Sequence, residues 1–275
     1  MARLALAQTT STGDFSDNLA VAESMIPQAV NGGADLLAYP EVFLYIGSRQ
    51  GKLAIAETLD GPTVGRFRDA ARRHRMMILL GSIHERSEAE SDRVYNTSVL
   101  IDRDGEIAGV YRKLKLFDVD LPHLRIRESE TIIPGSDPPP VVSTDIGRIG
   151  LTICFDLRFP DLYLDLRARG AEIVFVPSNF TAPTGEAHWS VLLRARAIEN
   201  QFYVAAPAQA GQHNRKYRSY GHTLLVDPWG RVLLEANDAV GLSLVDTDPE
   251  TLVRVRRELP MAPPAGPCGG PSRNG

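Results

Sequence analysis

Short apolar runs alternate along this chain with stretches whose apolar residues recur at helical spacing. Arg3–Gln8 reads as a strand, and Asn18–Val30 as a helix stopped by Asn31-Gly32-Gly33. Asp35–Tyr39 reads as a second strand ending at Pro40. Pro62–His74 opens with proline in its first turn and carries a basic face, the mark of a solvated helix. Met76–Ser82 is an apolar strand, and Val94–Ile101 and Ile107–Arg112 flank Asp102-Arg103-Asp104-Gly105, a hairpin turn. The second half repeats the style. Arg148–Cys154 reads as a strand, Pro160–Arg169 as a helix closed by Gly170, Ala171–Val176 as a strand, Glu186–Gln201 as a long helix and Phe202–Ala206 as a strand. Thr223–Val226 and Arg231–Glu235 form a hairpin around Asp227-Pro228-Trp229-Gly230.

Helical patterns between strands place helix layers outside sheets, and the hairpins make those sheets mixed. The class is therefore α/β. No linker divides the halves, so residues 1–260 are expected to form one domain, followed by a disordered Pro/Gly-rich tail, 261–275. The 275 residues, 43% of them hydrophobic, can bury a substantial core without disulfides or a structural metal. A net charge of -4 argues against a nucleic-acid surface and gives no reason to expect a membrane one. Of the two cysteines, Cys154 ends a strand and Cys268 lies in the tail, which is no disulfide framework. The N-terminus lacks the form of a signal peptide, and no apolar run reaches spanning length. The default location is cytoplasmic.

Three residues of chemical interest sit at three strand ends: Glu41, Lys113 and Cys154. Residue type leaves each open, as a solvated loop carboxylate, a solvated lysine and a buried structural cysteine. Position changes the odds, because sites in α/β sheets gather at the carboxyl ends of strands. A cysteine on a tight turn between strand and helix would be exposed, and the helix start would favour its thiolate. A partly buried glutamate can serve as a general base, and an ammonium can stabilise an oxyanion.

The segment Cys154-Phe155-Asp156-Leu157-Arg158-Phe159-Pro160-Asp161-Leu162 resembles the cysteine motif of the nitrilase superfamily, in its Nit branch. Tyr39-Pro40-Glu41 resembles its glutamate motif, and Tyr111-Arg112-Lys113-Leu114-Lys115-Leu116-Phe117-Asp118 its lysine motif. The likeness runs from about Arg3 to about Pro260. It implies a four-layer αββα sandwich and a homodimer or higher homo-oligomer packed through helix layers. It implies that Cys154 attacks an amide carbonyl to give a thioester and that Glu41 moves the protons. Lys113, with the backbone N–H of Phe155, would stabilise the oxyanion. Glu128 would hold Lys113, with Glu130 a weaker candidate for that place. The chain departs from the family at Lys115, where histidine is common, and at Leu121-Pro122-His123-Leu124.

Within the branch, the resemblance leaves two activities in competition. One is ω-amidase action on α-ketoglutaramate-like monoamides, the other hydrolysis of deaminated glutathione; N-carbamoyl amino acid hydrolysis is a further alternative. The stretches Ala208–His222 and Ala187–Glu199 are more similar to enzymes of the second kind. The substrate expected is a small amide with a carboxylate. Arg158, Asn179, Arg215 and Arg218 are the candidates to bind it, Arg215 and Arg218 in a basic loop with Lys216 that also reads as a plain solvated loop. Arg196 and Glu199, three apart on a helix, read as a structural ion pair. The six histidines, His74, His84, His123, His188, His213 and His222, form no ligand motif, so neither metal nor cofactor is expected. A non-catalytic binding protein on the same fold, and acyl transfer to an amine, stay open as rivals.

Overall fold

A computed structural model describes residues 1–121, 124–215 and 217–261. The expected tail beyond Met261, with Cys268, and also Pro122, His123 and Lys216 lie outside the described residues.

Two mixed sheets form the centre. In the first, Gly241–Thr247, Ala2–Gln8, Leu36–Ala38, Met77–Arg86, Val94–Ile101 and Ile107–Arg112 lie side by side, and Ile132–Ile133 adds to Val94–Ile101. In the second the order is Val232–Glu235, Leu224–Val226, Tyr203–Ala206, Ile173–Phe175, Gly147–Leu151 and Val141–Thr144. Each sheet has three parallel strands in its middle and antiparallel strands on both flanks.

Strand periodicity builds the layers. Along Ala2–Gln8, Leu4 and Leu6 point between the sheets and meet Ile149, Leu151, Ile173 and Phe175 in one core. Ala5 and Ala7 point the other way, onto the helices Phe15–Asn31 and Pro62–His74, through Ala22, Met25, Val64 and Phe67. The second sheet is covered by Pro160–Ala168 and Ala182–Asn200, with Tyr163, Leu166, Trp189 and Leu193 buried. The result is the four-layer αββα sandwich, with strand ends from both sheets gathered at one edge.

Several boundaries differ from the sequence reading, each for a local reason. The strand expected over Arg148–Cys154 stops at Leu151, because Cys154 adopts φ +46°, which no strand tolerates. The long helix begins at Ala182, not Glu186, with Pro183 in its first turn. The sequence reading assigns no element to Gly241–Thr247 or to the helix Pro249–Glu258. The first is half-exposed at the sheet edge, and the second is announced by its N-cap Asp248, whose side chain accepts from Glu250 N–H.

The strand Met77–Arg86 continues past the expected Ser82, with a register shift between Leu80 and Ile83. Gly81 occupies that irregularity. A Cβ there would stand 1.8 Å from the carbonyl oxygen of Tyr39 and 2.5 Å from that of Pro40. Both are backbone atoms directly before Glu41. Gly81→Ala should therefore displace this segment, destabilising the fold by about 2 kcal/mol or more. Calorimetry should show a Tm lower by roughly 4 °C or more. An unchanged Tm would contradict this account of the glycine.

His84, on the same strand, is buried, and burial pushes its pKa down to about 3, with the Lys52 charge adding to the effect. The imidazole is neutral in the fold at neutral pH. In the unfolded chain it takes up a proton near its ordinary 6.5. Unfolded chains thus bind more protons between about pH 6.5 and 3, and stability falls as pH drops through that window. The loss should reach several kcal/mol at the acid end. Replacing His84 by asparagine should flatten the Tm profile there relative to wild type. Parallel profiles would show that His84 is not the cause.

Candidate active site

Glu41 follows the strand Leu36–Ala38 and is only 4% exposed. The segment before it is anchored firmly. Tyr39 stacks on Phe43 with ring centroids 4.5 Å apart, and its hydroxyl donates to the Ala22 carbonyl at 2.7 Å. Gln209 reaches across from the second sheet and donates to the Glu41 backbone carbonyl at 3.0 Å. Val42 then turns with φ +45°, its N–H donating to Ser82 Oγ at 2.9 Å.

Lys113 leaves the strand Ile107–Arg112 and is 2% exposed. Its ammonium donates to Glu41 Oε1 at 2.8 Å and to both Glu128 oxygens at 3.0 and 2.9 Å. Burial alone would push this pKa down; Glu128 and Glu41 outweigh it and hold the pKa well above its ordinary value. Glu128 begins a short 3-10 helix, and its Oε2 also accepts the Phe117 N–H at 2.6 Å. Asn96 joins the cluster: its Nδ2 donates to Glu41 Oε1 at 3.0 Å and to Glu128 Oε1 at 3.3 Å.

Cys154 opens the 3-10 turn Cys154–Arg158. It is 8% exposed, not the open thiol that the turn led one to expect, and its surroundings do not favour a thiolate. Burial pushes its pKa well up, and Glu41, in hydrogen-bond contact with the thiol, pushes it further; Lys113 and a hydrogen bond from the Asn179 backbone N–H act in opposition. Burial and Glu41 thus both act against a thiolate at this sulfur. In the first turn of the short helix, the Phe155 N–H has no intrahelical acceptor.

Asp156 supports this turn from below. It accepts from Ile153 N–H at 2.9 Å, Tyr111 hydroxyl at 2.8 Å and Lys115 N–H at 3.0 Å. Burial raises its pKa to about 6, against these three donors and Lys113. One side chain thereby ties the segment of Lys113 to that of Cys154. Arg196 steadies the far end through two bonds to the Leu157 carbonyl, at 3.0 and 2.8 Å, while pairing with Glu199 at 2.6 Å. That pair is structural, as its helical spacing implied.

A cavity of about 380 Å³ opens beside these groups, lined by Glu41, Lys113, Glu128 and Cys154 together with Tyr45, Lys52, His84, Asn96, Asn179 and Tyr217. An adjoining crevice of only about 10 Å³ is lined by Cys154, Phe155, Arg158, Asn179, Phe180 and Thr184. Arg158 lies there over the rings of Phe155 and Phe180, 5.8 and 5.4 Å from their centroids, with His188 Nδ1 3.3 Å away. Arg215 and Arg218 are not brought in. Both are exposed, neither lines either cavity, and Arg218 is 3.5 Å from Asp238; from their loop, Asn214 and Tyr217 do reach the cavity wall. A separate hollow of about 520 Å³ between the helices Phe15–Asn31 and Pro62–His74 holds none of the strand-end residues. Among the described residues, no three His, Cys, Asp or Glu side chains cluster as metal ligands would. Among the described residues, no helix is long and apolar enough to cross a membrane.

Sequence reasoning missed Asn96, Asp156, Lys52 and His84. Asn96 had a legible signal, a polar residue inside the apolar run Val94–Ile101. Asp156 stood inside the cysteine segment without a role.

Comparison with known proteins agrees with this arrangement. Residues 3–257 match the carbon-nitrogen hydrolase family. A deaminated glutathione amidase of Dictyostelium discoideum is 41% identical over 94% of this chain and 92% of its own length. The crystal structure of the Caenorhabditis elegans NitFhit protein superposes with a TM-score of 0.88 at 39% identity, over 94% of this chain and 65% of that one. Saccharomyces cerevisiae Nit3, described as a member of branch 10 of the nitrilase superfamily, gives 0.86 at 30% identity over 95% of each chain. An amidase from Nesterenkonia sp. AN1, solved after addition of acrylamide at its active-site cysteine, gives 0.79 at 28% identity over 94% and 98% of the two chains. The chain is an amidase of the carbon-nitrogen hydrolase family, in the Nit branch of the nitrilase superfamily.

Proposed function

We propose that this amidase hydrolyses deaminated glutathione through a thioester on Cys154. The observation that carries the mechanism is geometric: the Cys154 thiol is in hydrogen-bond contact with Glu41, and the Lys113 ammonium lies 2.8 Å from the same carboxyl group. The Cys154 sulfur attacks the amide carbonyl carbon while its proton passes to Glu41. The oxygen gains charge and is held by the Lys113 ammonium and the Phe155 N–H. The carbon–nitrogen bond then breaks as Glu41 returns the proton to the leaving amine. Water enters, Glu41 takes its proton, hydroxide adds to the thioester carbonyl, and the acid departs as the thiol is restored. Glu128 and Asn96 keep Lys113 and Glu41 in position. Asn179, on the wall of the larger cavity, and Arg158, beside Cys154, contact the substrate; Arg215 and Arg218 line neither cavity.

The substrate reading rests on the relatives named for that activity and on the cationic side chains of the two cavities. The helix layer of Pro160–Ala168 and Ala182–Asn200 exposes Leu164, Val191 and Ile198, and we assign it as the contact face of a homodimer.

Glu41→Gln keeps the shape of the side chain but cannot carry a proton. Turnover of deaminated glutathione should fall by about 10²-fold or more. Cys154→Ala should abolish it with the fold intact. Intact-mass spectrometry of wild type during turnover should find an acyl adduct that maps to Cys154. Turnover by Cys154→Ala near the wild-type rate would end this mechanism, and hydrolysis of other amides but not of deaminated glutathione would end the substrate reading alone.

A further inference from the structure

The mechanism leaves one buried histidine beside the site without a task. His213 follows the strand Ala210–Gln212, which pairs with Arg218–Tyr220 in a short hairpin, and it is only 6% exposed. Its Nδ1 lies 2.7 Å from the Ser11 carbonyl and its Nε2 lies 2.7 Å from Ser219 Oγ. Both contacts lead on to the active site. On one side, Gln209 accepts the Ser11 N–H at 3.0 Å and donates to Ser11 Oγ at 2.8 Å and to the Glu41 carbonyl at 3.0 Å. On the other, Ser219 Oγ donates to the side-chain Oδ1 of Asn179. Asn179 lines the cavity that holds Cys154, and its backbone N–H meets the sulfur. Tyr217 fixes the main chain of Asn179 separately, its hydroxyl donating to the Asn179 carbonyl at 3.0 Å. The side-chain amide is held by Ser219.

Hydrogens fix the direction of each bond. The Ser11 carbonyl can only accept, so Nδ1 of His213 carries a hydrogen. Ser219 has a single hydroxyl proton and stands between Nε2 and Asn179. On an imidazolium, Nε2 donates to Ser219, and Ser219 donates to Asn179 Oδ1. On the neutral ring, which burial favours, Nε2 takes the Ser219 proton, and the amide turns so that its NH2 donates to the Ser219 oxygen. The ring thus decides which end of the Asn179 amide faces Ser219 and which faces the cavity. Serine alone would make no such choice, because a hydroxyl both donates and accepts.

We infer that His213 is a positioning residue for the amidase reaction: through Ser219 it selects the end of the Asn179 amide that a substrate meets. The inference rests on the reading that Asn179 contacts the substrate.

The test is steady-state kinetics on whichever of deaminated glutathione and α-ketoglutaramate the wild type turns over faster. Asn179→Ala, Ser219→Ala, His213→Asn and the double variant Ser219→Ala/His213→Asn are compared with wild type. Asparagine at position 213 places an N–H near that of Nδ1 but ends short of Ser219, so the bond to Ser11 is kept while the other is cut. His213→Asn should raise KM by about 3- to 10-fold, the scale of one hydrogen bond, with kcat within about 2-fold of wild type. In the Ser219→Ala background the same change should raise KM by less than about 2-fold further, because the link is already gone. Thermal unfolding of each variant reports its fold. A wild-type KM for His213→Asn, a loss in kcat alone, or a full further rise in the Ser219→Ala background would overturn the inference. Ser219→Ala, the milder change, must raise KM as well, and a wild-type KM there overturns it independently. If Asn179→Ala leaves KM at its wild-type value, the substrate-contact reading fails and takes the inference with it.

Discussion

An ammonium withdrawn to 2% exposure must be surrounded by acceptors, and Lys113 is held by Glu41 on one side and both oxygens of Glu128 on the other. Removing Lys113 would leave two buried carboxylates without the cation they share, which costs several kcal/mol. The arrangement therefore dictates much around it. Three chain segments distant in sequence must end at one point. Asn96 must bridge the carboxylates, and Asp156 must tie the loop after Lys113 to the turn of Cys154. The sandwich is the frame that brings those strand ends together. The glycine at position 81, packed against the carbonyls before Glu41, shows how little slack remains.

The same cluster shapes the chemistry proposed for it. With its charge shared between two carboxylates, Lys113 does not turn Cys154 into a standing thiolate; burial and Glu41 keep the proton on sulfur. The base is then already in contact with the proton it must take. Such a site attacks when a carbonyl enters the cavity beside Cys154, where Lys113 can turn to a developing oxyanion.

Much of this was legible in the sequence. The apolar run of Arg3–Gln8 and the helical period of Pro62–His74 are local properties, so the layers and the α/β class followed from such segments. Glu41, Lys113 and Cys154 were readable because strand ends carry sites and because their motifs resemble a known family. What was not legible depends on long-range placement. Lys52 and His84 look like any lysine and histidine until the fold sets them on one cavity wall. Arg215 and Arg218 looked suited to a carboxylate, yet both are exposed, and Arg218, which opens a short strand, lies 3.5 Å from Asp238. Burial of Cys154 was hidden for the same reason, since the turn alone favours exposure while the packing of Pro177 and Asn179 closes over it.

The central claim is that Cys154 waits as a thiol whose proton belongs to Glu41. Ultraviolet absorbance of thiolate across a pH titration, taken as wild type minus Cys154→Ser, reads this directly. The account predicts no thiolate from Cys154 at neutral pH, with titration only above the ordinary thiol range. A thiolate already formed at neutral pH would contradict it and would mean that Lys113, not Glu41, governs the sulfur.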